Sequence, residues 1–189
     1  ARLVAKGYTQ KPGIDFVDAY SPIAKFTSIR ILMAIVARMD LELHQLDVKT
    51  AFLNGELKED IYMIQPEGYH VKRHENKVYK LRKSLYGLKQ SSRQWYLKFH
   101  QAIMEMGYKI NPLNHCVYSW NCQDNLCILS LYVDDILLAG NSIDMIKKTK
   151  SSMGSKFEMK DMGEVSYVLG IKITRDRDVN LFGSTKLSG

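Results

Sequence analysis

Residues 131 to 140 read LYVDDILLAG and set two carboxylates, Asp134 and Asp135, side by side in a run that is otherwise almost wholly apolar. The apolar runs on either side read as two strands, and the acid pair falls where the turn of a hairpin joins them. Downstream, Asn141 and Ser142 supply a cap for SIDMIKKTKSSMGSKF, a basic helix. VSYVLGIKITR then alternates Val165, Tyr167, Leu169, Ile171 and Ile173 with smaller or polar neighbours, as a last strand does. Upstream, SSRQWYLKFHQAIMEMG places Trp95, Phe99, Ala102, Ile103 and Met106 on one helical face and stops at Gly107. LHQLDVKTAFLNGEL reads as a strand that carries Asp47 between Leu46 and Val48 and turns soon after, towards Asn54 and Gly55. FTSIRILMAIVARMD spaces Ile29, Leu32, Met33 and Val36 helically, with Thr27 or Ser28 as N-cap. Counted from Asp47, the order is βαββαβ, interrupted after its first strand by a polar, basic stretch over 55–90. That order predicts an α+β fold, a split arrangement with an antiparallel sheet and its helices on one face. Its first and third strands are central neighbours, which brings Asp47 towards Asp134 and Asp135.

Three neighbouring carboxylates flanked by apolar strands repel one another, and desolvation worsens the conflict unless a cation is present. An all-oxygen, strongly anionic set suits Mg²⁺ or Mn²⁺, and such sites commonly share the ion with substrate phosphates. Two such ions about 3.5–4 Å apart clamp the attacking and leaving oxygens of an in-line phosphoryl transfer. The alternative is an acid pair in a solvated turn.

Composition bounds the partners. The 189 residues carry 27 Lys and Arg against 20 Asp and Glu, a net charge of +7, which favours a polyanionic partner. No stretch is apolar for long enough to span a bilayer, so no membrane role is expected. Cys116, Cys122 and Cys127 are odd in number and irregularly spaced, against a disulfide framework and suited to a reducing compartment. The Ala1 start and the STKLSG end read as cut from a longer chain.

Taken together, LDVKTAFLNG, SLYGLKQSSRQWY and LYVDDILLAG resemble the reverse transcriptase domain of Ty1/copia-type retrotransposons. The resemblance extends from ARLVAKGYTQ through YSPIAKFTSIR and QPEGY to MKDMGEVSYVLGIKITR, about residues 1–177, and leaves 178–189 unassigned. It implies the palm of a right-hand polymerase (about 21–54 and 91–177) with part of its fingers (about 1–20 and 55–90). Asp47, the Val48 carbonyl and Asp134 would then ligate two Mg²⁺ or Mn²⁺ ions, with Asp135 completing the acidic set as a catalytic carboxylate that binds metal less directly. Phe52 matches the aromatic residue that packs under the sugar and disfavours a 2′-hydroxyl; a core aromatic is the other reading. Arg2 and Lys6 match fingers residues that grip the triphosphate, while Tyr86 and Gly87 line the nucleotide pocket. Ser92 stands where the family commonly has Pro, a departure at the local turn. Leu169, Gly170 and Ile171 resemble the strand leading to a primer-contacting hairpin.

The basic stretch points to a polyanion independently. Lys72, Arg73, Lys77, Lys80, Arg82, Lys83, Lys89, Arg93 and Lys98 face one nearby acid, Glu75, with Tyr79, Tyr86, Trp95 and Tyr96 interleaved. Lys80, Arg82, Lys83, Lys89 and Arg93 are the candidate nucleic-acid contacts, Trp95 is better placed in the core, and a solvated basic face is the alternative. The expected activity is RNA-directed DNA polymerisation from deoxynucleoside triphosphates on an RNA or DNA template with primer. The expected partners are the integrase and RNase H domains of a Pol polyprotein, in a cytoplasmic virus-like particle where the parent element is active. The rival readings are a fragment that binds nucleic acid without polymerising, and a palm-like domain acting on nucleotides alone.

Overall fold

The computed structural model describes residues 3–177 and 181–186. It divides into two compact units, one made of residues up to Pro22 and Thr50–Ala102, the other of Ile23–Lys49 and the chain from Ile103 onward. In chain order the elements are α1 (Phe26–Met39), β1 (Glu42–Val48), β2 (Tyr62–Ile64), β3 (Val78–Lys80), α2 (Ser91–Glu105), β4 (Lys109–Asn111), β5 (Asn114–Cys122), β6 (Asn125–Tyr132), β7 (Asp135–Gly140), α3 (Ile143–Gly154), β8 (Met159–Glu164), β9 (Tyr167–Val168), β10 (Ile171–Asp176) and β11 (Leu181–Lys186). The unit boundary falls inside α2.

The second unit is built on a six-stranded sheet in the order β4-β5-β6-β7-β1-β8, antiparallel throughout. Its centre is β7, which is buried at every position from Ile136 to Gly140. A strand apolar on both faces needs cover on both. One face carries Cys127, Leu138 and His44, and α3 lies against it: Ile146 approaches Gly140, Thr149 bonds the Tyr108 hydroxyl at 2.9 Å, and the Lys150 ammonium meets His44. Against the opposite face, Ile29, Leu32, Met33 and Val36 of α1 pack with Leu43, Leu137, Ala139 and Val168 in one core. The order counted from Asp47 contains the helices α2 and α3 alone; the second covered face belongs to α1, which precedes it. The reason is legible in DILLAG, an unbroken apolar run rather than an alternating one.

Three differences from the sequence reading have local causes. The strand next to β1 is β8, from the polar MKDMGE stretch, and not 165–173. The latter breaks at Leu169 and Gly170, both with positive φ, into β9 and β10 of a separate sheet ordered β11-β10-β9, so the tail at 181–186 is a strand. The α1 N-cap is Lys25; the Ser28 hydroxyl instead accepts from the Asn114 amide at 2.7 Å. Residues 51–54 form a 3-10 turn, with Gly55 lying close to Gln94 where a β-carbon would have no room. The α3 cap is as expected: Ser142 accepts the Met145 N–H.

In the first unit, β2 and β3 form a small ribbon, and the long loop between them is gathered by the buried Gln65. The Gln65 amide donates to the carbonyls of His74 (2.7 Å) and Lys77 (2.9 Å) and accepts the Val71 N–H (2.7 Å). Ser92 sits in the first turn of α2, where Ser and Pro are both accommodated. Truncating Leu138, fully buried on β7, to Ala is expected to cost about 2–5 kcal/mol of stability in urea unfolding. A loss under about 1 kcal/mol would contradict a packed, two-sided sheet.

Candidate active site

β1 and β7 pair antiparallel with Leu46 opposite Ile136 and Asp47 opposite Asp135. Directly opposed residues project to the same face of a sheet, so Asp47 and Asp135 stand side by side at the end of the central strand pair. Asp134 occupies the two-residue turn between β6 and β7, and its carbonyl accepts the Val48 N–H at 2.9 Å, tying the turn to the end of β1. The other turn residue, Val133, has φ 58. A β-branched residue there is strained, and such strain persists only where surrounding structure over-determines the backbone. All three acids expected to converge therefore lie at one end of β1 and the β6–β7 hairpin, and each is half-buried.

Burial pushes the Asp135 carboxyl above its ordinary value; a hydrogen bond from Gln45 opposes the shift, and the charges of Asp134 and Asp47 add to it. The Gln45 amide donates to Asp135 Oδ1 at 2.8 Å. Gln45 was missed in the sequence reading, although its place two residues before Asp47 in a strand puts it on the same face. Among the described residues, no group of three or more His, Cys, Asp or Glu side chains is arranged to hold a metal ion. The donor chemistry nonetheless fits a hard divalent cation: the oxygens are carboxylate, and their mutual repulsion is the conflict a cation relieves.

The residues expected to meet a nucleotide lie in the first unit. Phe52, in the 3-10 turn, packs on Tyr86 with ring centroids 4.9 Å apart. Gly87 has φ 93, and a β-carbon on it would come within 2.1 Å of the Ala5 carbonyl oxygen. The Ala5 N–H donates to the Tyr86 carbonyl at 2.7 Å, so the segment before Lys6 lies directly along Tyr86 and Gly87. Lys6 is exposed, and Arg2 lies outside the described residues. The buried Gln90 extends this contact through Gln10 (3.1 Å) and the Asp15 carbonyl (3.0 Å).

The basic set separates into two groups. Lys80 pairs with Asp60 at 2.6 Å, and Arg93 pairs with Asp18 at 3.0 Å while donating to the Tyr20 carbonyl, so both are engaged within the unit. Arg82, Lys83 and Lys89 are exposed and enter none of the ion pairs among the described residues. Tyr96 is buried with Trp95, which corrects its place among surface aromatics; Tyr62 and Tyr69 are exposed instead.

The reverse transcriptase (RNA-dependent DNA polymerase) family matches residues 1–184. The chain is 49% identical over 178 residues to the retrovirus-related Pol polyprotein from transposon TNT 1-94 of Nicotiana tabacum, covering 94% of this chain and 13% of that protein. Against the Pol polyproteins from transposons RE1 and RE2 of Arabidopsis thaliana, identity is 40% and 37%, each over 93% of this chain and 12% of the relative. The chain thus spans about an eighth of the length of these relatives. No solved structure is a significant match.

Because its folded-state pKa is raised, Asp135 binds more protons in the folded chain than in the unfolded one between the two values. Its contribution to stability is therefore present at low pH and lost as pH rises through the folded pKa. Asp135→Asn is expected to melt higher than the native protein at pH 7 in chelator, with the gap closing below the ordinary carboxylate pKa. A lower melting temperature at pH 7 would contradict the electrostatic reading.

Proposed function

Since the chain belongs to the reverse transcriptase (RNA-dependent DNA polymerase) family, of Ty1/copia type, we propose that it forms the palm and part of the fingers of an enzyme that extends a primer 3′-hydroxyl with deoxynucleoside triphosphates on an RNA or DNA template. The observation that carries this reading is the register of β1 with β7, which sets Asp47 opposite Asp135 beside the Asp134 turn.

Asp47, the Val48 carbonyl and Asp134, with Asp135 less directly, would hold the divalent ions, Mg²⁺ or Mn²⁺. Bound there, a pair of such ions would activate the 3′-hydroxyl and neutralise the triphosphate and departing pyrophosphate. Asp135 keeps the face anionic while Gln45 fixes its orientation. No side chain need form a covalent bond. The contact of Phe52 with Tyr86 supports its role as a steric filter, because an aromatic braced by another ring cannot swing aside for a 2′-hydroxyl. Lys6 and Arg2 bind the triphosphate, and Gly87 lets backbone approach backbone beside the pocket. Arg82, Lys83 and Lys89 contact the phosphate backbone, with Lys80 and Arg93 contributing charge from within their ion pairs. The remaining Pol domains, integrase and RNase H, are the partners, in the cytoplasmic particle of an active element.

Primer extension separates this from binding without synthesis. Asp134→Asn is expected to lower incorporation by about 10³-fold or more with the fold retained, as when a group stabilising transition-state charge is removed. Unimpaired incorporation by that variant would refute the metal assignment. Phe52→Val is expected to admit ribonucleotides while deoxynucleotide use persists; unchanged discrimination would return Phe52 to a packing role.

A further inference from the structure

β8 does not pair with β1 in a single register. His44 faces Glu164 and Gln45 faces Gly163; Leu46 then faces Asp161, Asp47 faces Lys160 and Val48 faces Met159, so Met162 is an extra residue. A one-residue slip changes both the partner and the face of every side chain beyond it. Had the first register continued, Asp161 would stand opposite Asp47, adding a carboxylate to the face that already bears Asp135. The bulge sets Lys160 there instead and turns Asp161 to the opposite face. The row across four strands becomes Tyr132, Asp135, Asp47, Lys160.

The bulge is pinned on that opposite face. Asp161 receives the Lys150 ammonium on both oxygens (2.8 and 2.9 Å) and the Gly163 N–H (2.9 Å), and Gly163 takes φ 75. Lys150, its side chain 14% exposed, also lies 2.9 Å from His44 Nδ1, joining α3 to both strands. Lys160 itself is exposed and enters none of the ion pairs among the described residues.

We propose that this bulge is a charge-register device that makes the carboxylate face select a divalent ion already bound to a polyphosphate over the bare ion. The inference rests on the metal-binding reading given above. A fixed positive charge beside Asp47 opposes an approaching bare cation and pairs with the phosphate oxygens of a metal–polyphosphate complex. Metal loading is thereby coupled to arrival of the anionic ligand.

The test uses the full chain with Mn²⁺ and inorganic pyrophosphate as probes. Bare Mn²⁺ affinity is read by electron paramagnetic resonance, and retention of the Mn²⁺–pyrophosphate complex by equilibrium dialysis with labelled pyrophosphate. Lys160→Met is expected to tighten bare Mn²⁺ about threefold to tenfold and to weaken retention of the complex by a similar factor, while Lys160→Arg keeps the native pattern. Deleting Met162, which removes the extra residue but leaves Asp161 opposite Leu46 and Lys160 opposite Asp47, is expected to keep the native pattern. Should Lys160→Met leave both affinities within about twofold of a native protein that binds Mn²⁺, this inference alone falls. Should the native chain retain neither bare Mn²⁺ nor the complex, the metal-binding reading falls with it.

Discussion

Two carboxylates held directly opposite each other on adjacent central strands are the constraint around which the second unit is organised. Like charges facing across a ladder destabilise a sheet, and here burial adds to the cost by holding Asp135 above its ordinary pKa. The fold keeps this arrangement in place by several independent means. β7 is buried on both faces, so a slip of its register would exchange Leu137 and Leu138 between two differently packed faces and break the packing of both. The Asp134 carbonyl takes the Val48 N–H, and Val133 is held in a backbone conformation that a β-branched residue avoids. Stability spent on one corner of a sheet is the usual mark of a functional site.

The first unit is organised by close backbone approach. Gly87 allows the Ala5 carbonyl to come where a β-carbon would stand, and Gly7 does the same for the Gly87 carbonyl. Gln10 and Gln90 then bond side chain to side chain and side chain to backbone along the same seam. These contacts fix Tyr86, against which Phe52 packs. The basic stretch serves two purposes: Lys80, Arg93 and Lys98 hold the unit together through Asp60, Asp18 and Glu56, and Arg82, Lys83 and Lys89 give it an exposed positive surface.

The parts of this structure legible in the sequence are those written in apolar spacing. The α1 stripe, the Ser142 cap and the two strands around the acid pair follow from periodicity, and adjacency of β1 and β7 follows from element order. β8 was not legible because MKDMGE, whose apolar residues are Met159 and Met162 alone, shows no alternation; it is an edge strand held by backbone pairing to β1 and by the Lys150–Asp161 pair. β5 escaped for a related reason, since NHCVYSWNC buries only Cys116 and Tyr118 fully. The second covered face was written in the continuous run of DILLAG, and its cover is α1, a helix that lies upstream of the order counted from Asp47. At the site, the three acids were found from charge in an apolar setting, whereas Gln45 and Lys160 carry no such contrast and emerge only from register.

The most direct test of the account is a crystal structure of the chain soaked with Mn²⁺ and a deoxynucleoside triphosphate, read by anomalous scattering at the manganese edge. The account predicts an anomalous peak within coordination distance of the Asp47 and Asp134 carboxylates. A peak elsewhere, or density placing Asp47 on the face of the sheet opposite to Asp135, would contradict it.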